Sequence, residues 1–64
     1  MMPIIQTFLL EGRSREQKAG FIRAVTDAAV ETLGVPVESV RVIITEMPKT
    51  DFGIAGRTAE ELGR

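Results

Sequence analysis

Three residues whose types could do chemistry together stand beside predicted strands: Pro3, Arg13 and Arg41. A proline at the first position of a chain has a secondary amine that accepts a proton, whereas inside a chain the same nitrogen is an amide. Arginine binds carboxylates through two parallel hydrogen bonds and keeps its charge. Together these residues predict a site in which an amine moves a proton while guanidinium groups hold a carboxylate and stabilise an enolate.

Each of the three residues also has an ordinary structural role. Proline is tolerated at the first position of a strand, Arg13 suits a loop, and a charge at Arg41 discourages edge-to-edge pairing of strands. Other catalytic arrangements are excluded more firmly. The chain has no histidine and no cysteine, which removes Ser-His-Asp and Cys-His sites, and no glycine-rich phosphate loop stands between a strand and a helix. Most of the acids belong to a polar helix face or to loops, where solvated charge is the usual role.

The chain length predicts a single domain over residues 1–64 that needs support from other copies. A chain of 64 residues buries only about 60% of the surface of its unfolded form. Without cysteine or histidine it has neither disulfides nor a zinc site to add stability. The mean hydropathy of +0.09 is high for so small a chain, which predicts apolar surface buried between the subunits of an oligomer.

The charge pattern excludes some partners. The net charge is -1, the sequence pI is near 5.3, and basic residues alternate with acids instead of forming a basic stripe. Nucleic-acid binding is therefore disfavoured. No apolar run of membrane-spanning length and no signal-peptide pattern are present, so we expect a cytoplasmic protein that does not bind membranes.

The hydrophobic pattern predicts an α/β fold. Ile4–Leu10 and residues 40–46 are nearly continuous apolar runs, typical of strands that are covered on both faces. Between them, Arg15–Leu33 has apolar side chains at spacings of three and four, which is typical of an amphipathic helix. Strand, helix and strand in succession form a β-α-β unit with parallel strands. Two strands do not make a stable sheet, so we expect the unit to pair with another chain.

Local signals predict both ends of this helix, whereas the residues after 51 have a weaker pattern. Ser14 and Gln17 form a capping box, and Gly34 stands where a glycine commonly ends a helix. Residues 52–56 are interpreted as a short hairpin or an arm. Residues 57–64 are polar, and we expect them to fray.

Five short motifs follow one another along the chain from Pro3 to about Gly56. They are residues 3–6 (PIIQ), 9–14 (LLEGRS), 16–18 (EQK), 39–47 (SVRVIITEM) and 52–54 (FGI). In this combination the sequence resembles the 4-oxalocrotonate tautomerase family, also called 2-hydroxymuconate tautomerases. The resemblance implies a tautomerase-type β-α-β unit with a short C-terminal hairpin, two of which form a dimer with a four-stranded sheet. It also implies a homohexamer built as a trimer of dimers.

The resemblance further implies roles for single residues. Pro3 matches the family's amino-terminal general base, and Arg13 matches an arginine that binds a substrate carboxylate. Arg41 matches an arginine, supplied by a neighbouring subunit, that polarises the 2-keto or 2-hydroxy oxygen. Leu10 and Phe52 match apolar walls of the pocket. The implied reaction is enol-keto interconversion of a small unsaturated 2-oxo acid or diacid in the breakdown of aromatic compounds, with no metal and no organic cofactor.

The chain departs from the family at its start, where two methionines precede the proline. A start at Met2 leaves Pro3 first after methionine removal, whereas a start at Met1 puts the bulky Met2 second and keeps Pro3 an amide. Beside a tautomerase, two alternatives stay open: a related hydratase or dehalogenase of unsaturated acids, and a non-catalytic assembly subunit. A peptide-binding role for the strand edge has no specific residue in its favour.

Overall fold

The fold is the predicted β-α-β unit followed by a small hairpin. In this computed structural model, which describes residues 2–64, the strands are β1 (Ile4–Leu10), β2 (Arg41–Met47), β3 (Gly53–Ile54) and β4 (Arg57–Thr58), and the helix is α1 (Arg15–Leu33). The predicted bounds of β1 and α1 are confirmed, and β2 begins and ends one residue later than predicted. The question of whether Met1 is retained concerns a residue outside the described range.

The two long strands pair in parallel along their whole length. The register places Ile4 opposite Arg41 and Leu10 opposite Met47. The ladder continues beyond both ends, because the Arg41 N–H donates to the Pro3 carbonyl at 3.0 Å and the Glu11 N–H donates to the Met47 carbonyl at 3.0 Å. Parallel pairing requires a long crossover, and α1 supplies it.

Both ends of α1 are fixed by the residues that the sequence indicates. The Ser14 hydroxyl accepts from the Gln17 N–H at 3.1 Å, and the Gln17 side chain accepts from the Ser14 N–H at 3.0 Å. At the other end Gly34 has a left-handed conformation, with φ of 67°, and its N–H donates to the Val30 carbonyl. Among the described residues, no helix has both the length and the apolar character needed to cross a membrane.

Only one face of the strand pair is covered. Glu46 accepts a hydrogen bond from Lys18 of α1 at 2.9 Å, so Glu46 and the residues that alternate with it point toward the helix. On the opposite face, Ile4, Phe8 and Ile43 remain 60%, 63% and 47% exposed. The prediction that both faces are covered is therefore wrong for the single chain, because one helix shields one face of a two-stranded sheet.

The helix α1 also has apolar side chains that nothing in this chain covers. Ala29 is buried, but Phe21, Ile22 and Leu33, which have the apolar spacing that predicts the helix, are all exposed. An exposed apolar stripe on a helix and an exposed apolar sheet face in so small a chain are features of a subunit of an assembly.

The C-terminal segment is more ordered than predicted. β3 and β4 pair antiparallel through a two-residue turn at Ala55 and Gly56, both of which have positive φ, as a type I′ hairpin requires. Ala59 is 0% exposed, and its N–H donates to the Phe52 carbonyl at 2.8 Å. The expected fraying after residue 56 is not what the structure shows, since buried contacts and backbone hydrogen bonds hold this segment.

Two glycines of the helical region should respond oppositely to alanine. At Gly34 a methyl group meets no atom within 4 Å, so the cost of Gly34→Ala comes from the left-handed backbone and should be about 1–2 kcal/mol. Gly20 is inside α1, also without a neighbour within 4 Å, so Gly20→Ala should raise stability by about 1 kcal/mol. Urea unfolding at one fixed protein concentration measures both. A loss of stability in Gly20→Ala would show instead that another chain packs closely there.

Candidate active site

Pro3 and Arg41 lie together at the starting end of the two parallel strands. The backbone hydrogen bond between them places their Cα atoms on neighbouring strands. Pro3 is half-buried and Arg41 is exposed, and one guanidinium nitrogen of Arg41 donates to the Glu38 carbonyl at 2.6 Å. This contact holds the guanidinium near the strand end where the proline lies. The structure thus brings together two of the predicted site residues.

Arg13 and Leu10 lie together at the other end of β1. They line a groove of 420 Å³, whose walls are formed by residues 10–13, Gln17, Lys49 and Arg64. Gly12, with φ of 121°, turns the chain between the strand and the helix. The groove therefore combines an apolar side chain with a guanidinium group, as a site for an apolar acid requires.

These two clusters are far apart within one chain. A strand of seven residues is about 20 Å long at roughly 3.3 Å per residue. An arginine side chain does not span that distance, so Pro3 and Arg13 of the same chain do not reach one small substrate. A site that uses both residues must combine them from different copies of the chain.

Phe52, the predicted aromatic wall, does not line the groove beside Arg13. It follows the 3-10 turn at Lys49–Asp51 and is half-buried. Its carbonyl accepts from Ala59, so the C-terminal segment fixes the backbone that carries the ring.

Lys49 and Arg64 are residues of the groove that sequence reasoning missed. Lys49 comes two residues after β2, and parallel pairing places the ends of β1 and β2 side by side, so its closeness to Arg13 follows from the topology. Arg64 is placed there by contacts of the tail: its N–H donates to the Ala59 carbonyl at 3.0 Å. No sequence signal predicts that approach. Among residues 2–64, no group of three or more potential metal ligands comes together.

Both clusters carry positive charge, which limits the ligands that they can bind. The groove has three cationic side chains, Arg13, Lys49 and Arg64, beside one acidic side chain, Glu11, which favours an anionic ligand. At the other strand end, the backbones of Pro3 and Arg41 are hydrogen-bonded, and the Arg41 side chain carries a positive charge. Such a charge stabilises an oxyanion that develops during proton transfer.

Comparison with known proteins places the chain in a family. The family model described as tautomerase enzyme matches residues 3–61. The chain belongs to the tautomerase enzyme family. One curated relative in this family, the 2-hydroxymuconate tautomerase of Pseudomonas putida, is 57% identical over 63 residues, which cover 98% of this chain and 100% of the relative.

Solved structures of tautomerases agree with the fold. The structure of the 4-oxalocrotonate tautomerase isozymes from Methylibium petroleiphilum has a TM-score of 0.91 and 46% identity, and the match covers 95% of both chains. A heterohexameric 4-oxalocrotonate tautomerase from Chloroflexus aurantiacus has a TM-score of 0.88 and 42% identity, with 97% of this chain and 98% of the other covered. The predicted fold class and the resemblance to tautomerases are confirmed.

Proposed function

We propose that this tautomerase interconverts the enol and keto forms of an unsaturated 2-oxo acid of the 2-hydroxymuconate type, with Pro3 as its general base. The main support is the family match, which begins at Pro3, together with relatives named 2-hydroxymuconate tautomerase that align over their whole length. The place of the reaction in the breakdown of aromatic compounds, and the cytoplasmic location, stay predictions from the sequence.

The proposed reaction moves one proton between two atoms of the substrate. The secondary amine of an amino-terminal Pro3 takes the proton of the enol hydroxyl group as the carbonyl forms. It then returns a proton to a carbon of the conjugated chain, which leaves the amine as it began. Arg41 stabilises negative charge on the oxygen, and Arg13 holds a carboxylate through its planar fork. Leu10 and Phe52 supply apolar walls.

This mechanism requires an oligomer. The length of β1 separates Pro3 from Arg13, and the apolar sheet face that carries Phe8 is open in one chain. Both observations support an assembly in which each site draws on several copies. We propose a homohexamer built as a trimer of dimers; the heterohexameric 4-oxalocrotonate tautomerase among the solved structures supports the number of subunits but not their identity.

Exposure of the proline amine should decide whether the protein is active. We compare protein that begins at Pro3 with protein that retains Met1 and Met2, using intact mass to verify each start. Ketonisation of 2-hydroxymuconate, followed by absorbance, should be about 10²- to 10⁴-fold slower in the longer form, since general-base catalysis contributes on that order.

Two results would count against this assignment. Equal rates in both forms, at equal oligomer size, would exclude Pro3 as the base. An inactive Pro3-first protein that still assembles would favour the non-catalytic subunit, for which the two leading methionines are the supporting observation. Turnover of an unsaturated acid by water addition or halide release, without ketonisation, would favour the hydratase or dehalogenase.

If each site combines residues of different chains, two inactive variants should regain activity when they assemble together. A chain with Arg13→Ala keeps its proline but lacks the carboxylate-binding group, and a chain with a retained Met2 keeps Arg13 but lacks the amine. Each alone should be nearly inactive. Co-expression of the two should give assemblies with activity above either parent, because some sites combine an intact Pro3 with an intact Arg13.

The control for this experiment is a mixture of the two proteins purified separately and combined without subunit exchange, which should stay inactive. Co-expressed assemblies no more active than that mixture would show that Pro3 and Arg13 act within one chain or that Arg13 has no part in the site.

A further inference from the structure

The groove beside Arg13 contains a second cation that the proposed mechanism does not use. Lys49 lines the groove together with Arg13. Lys49 is half-buried, as is Lys18, but Lys18 is paired with Glu46. Two cationic side chains that line one groove favour an anionic ligand there.

The backbone of Lys49 is held on two sides, so its side chain leaves from a fixed point. Its N–H donates to a carboxylate oxygen of Glu11 at 3.3 Å. Its carbonyl accepts from the Glu60 N–H at 3.2 Å. These contacts join the end of β1 to the C-terminal segment through the main chain of Lys49. The ammonium group takes no part in them.

The ammonium of Lys49 and the guanidinium of Arg13 have no ion-pair partner within residues 2–64. The ion pairs of this part of the chain join Lys18 to Glu46 and Arg57 to Glu61. Glu11, the carboxylate that lines the groove, receives the backbone N–H of Lys49 instead. The groove is therefore lined by two cationic residues without an ion pair in the described part of the chain, together with Arg64.

We propose that Lys49 is a specificity-determining residue that selects dicarboxylate over monocarboxylate substrates. The proposal rests on the proposed function of the same site. Its ammonium shares with Arg13 the second carboxylate of the substrate, the one remote from the reacting 2-oxo group. A lysine acts as a mobile point charge where arginine supplies a rigid fork, so the pair can follow a carboxylate at the end of a flexible chain.

The test compares Lys49→Met with the parent protein, both beginning at Pro3. The substrates are 2-hydroxymuconate, a dicarboxylate, and 2-hydroxypenta-2,4-dienoate, which has one carboxylate. For the dicarboxylate, kcat/KM should fall about tenfold, mostly through a higher KM, because the lost contact is made before and during proton transfer alike. For the monocarboxylate, kcat/KM should change less than about twofold, since it leaves this end of the groove empty.

Two further variants separate a local contact from general charge effects. Lys49→Arg retains the cation and should keep the preference for the dicarboxylate. Arg23→Gln removes an equal charge from an exposed position of α1, and it should leave the ratio of the two kcat/KM values unchanged. Equal losses on both substrates in Lys49→Met, or an equal shift in Arg23→Gln, would overturn the proposal.

A binding measurement keeps this test separate from the proposed function. Calorimetry with the unreactive acids adipate and pentanoate should show that Lys49→Met weakens adipate about tenfold and leaves pentanoate unchanged. If the parent protein turned over neither substrate but bound adipate through Lys49, the proposed reaction would fail while the selectivity of the groove stood. If adipate bound parent and variant equally, the role of Lys49 would be excluded whatever the reaction.

Discussion

The parallel pairing of β1 with β2 is the constraint on which the rest of this structure depends. A parallel pair has both strand starts at one end and both strand ends at the other. Pro3 and Arg41 therefore meet at one end, and the turn that carries Arg13 meets the residues that follow β2 at the other. The proposed site residues are divided between two places because the ladder is parallel.

The same pairing leaves one apolar face of the sheet uncovered in a single chain. The crossover helix shields one face of the strands, and the opposite face keeps exposed apolar side chains. A fold of this size has few ways to complete a core without disulfides or metals, and association is the one that its surface supports. Under the proposed function, assembly would also bring Pro3 of one copy to Arg13 of another, so that stability and catalysis would depend on the same contacts between copies.

The sequence was informative where local chemistry decides the structure. The capping box at Ser14, the glycine at Gly34 and the apolar run of β1 each act within a few residues, and the structure has the predicted bounds there. The order of the tail does not follow from its sequence, because it comes from distant contacts. Ala59 is buried and its N–H donates to the Phe52 carbonyl, and polar composition predicts neither contact.

The coverage of the strands could not be predicted for a related reason, since apolar composition does not say which chain covers an apolar face. Arg64 reaches the groove through the same tail, and only Lys49 could have been placed there from the topology.

The bond between the Arg41 N–H and the Pro3 carbonyl has a consequence for how such a chain matures. Proline has no N–H to give to a ladder, and the sheet holds this residue by its carbonyl alone. Cleavage of the peptide bond before Pro3 would therefore turn an amide into an amine that can accept a proton, without breaking any of the backbone hydrogen bonds described for the sheet. Because Pro3 comes directly before β1 and is anchored by its carbonyl, a newly released terminus would already be in its final position.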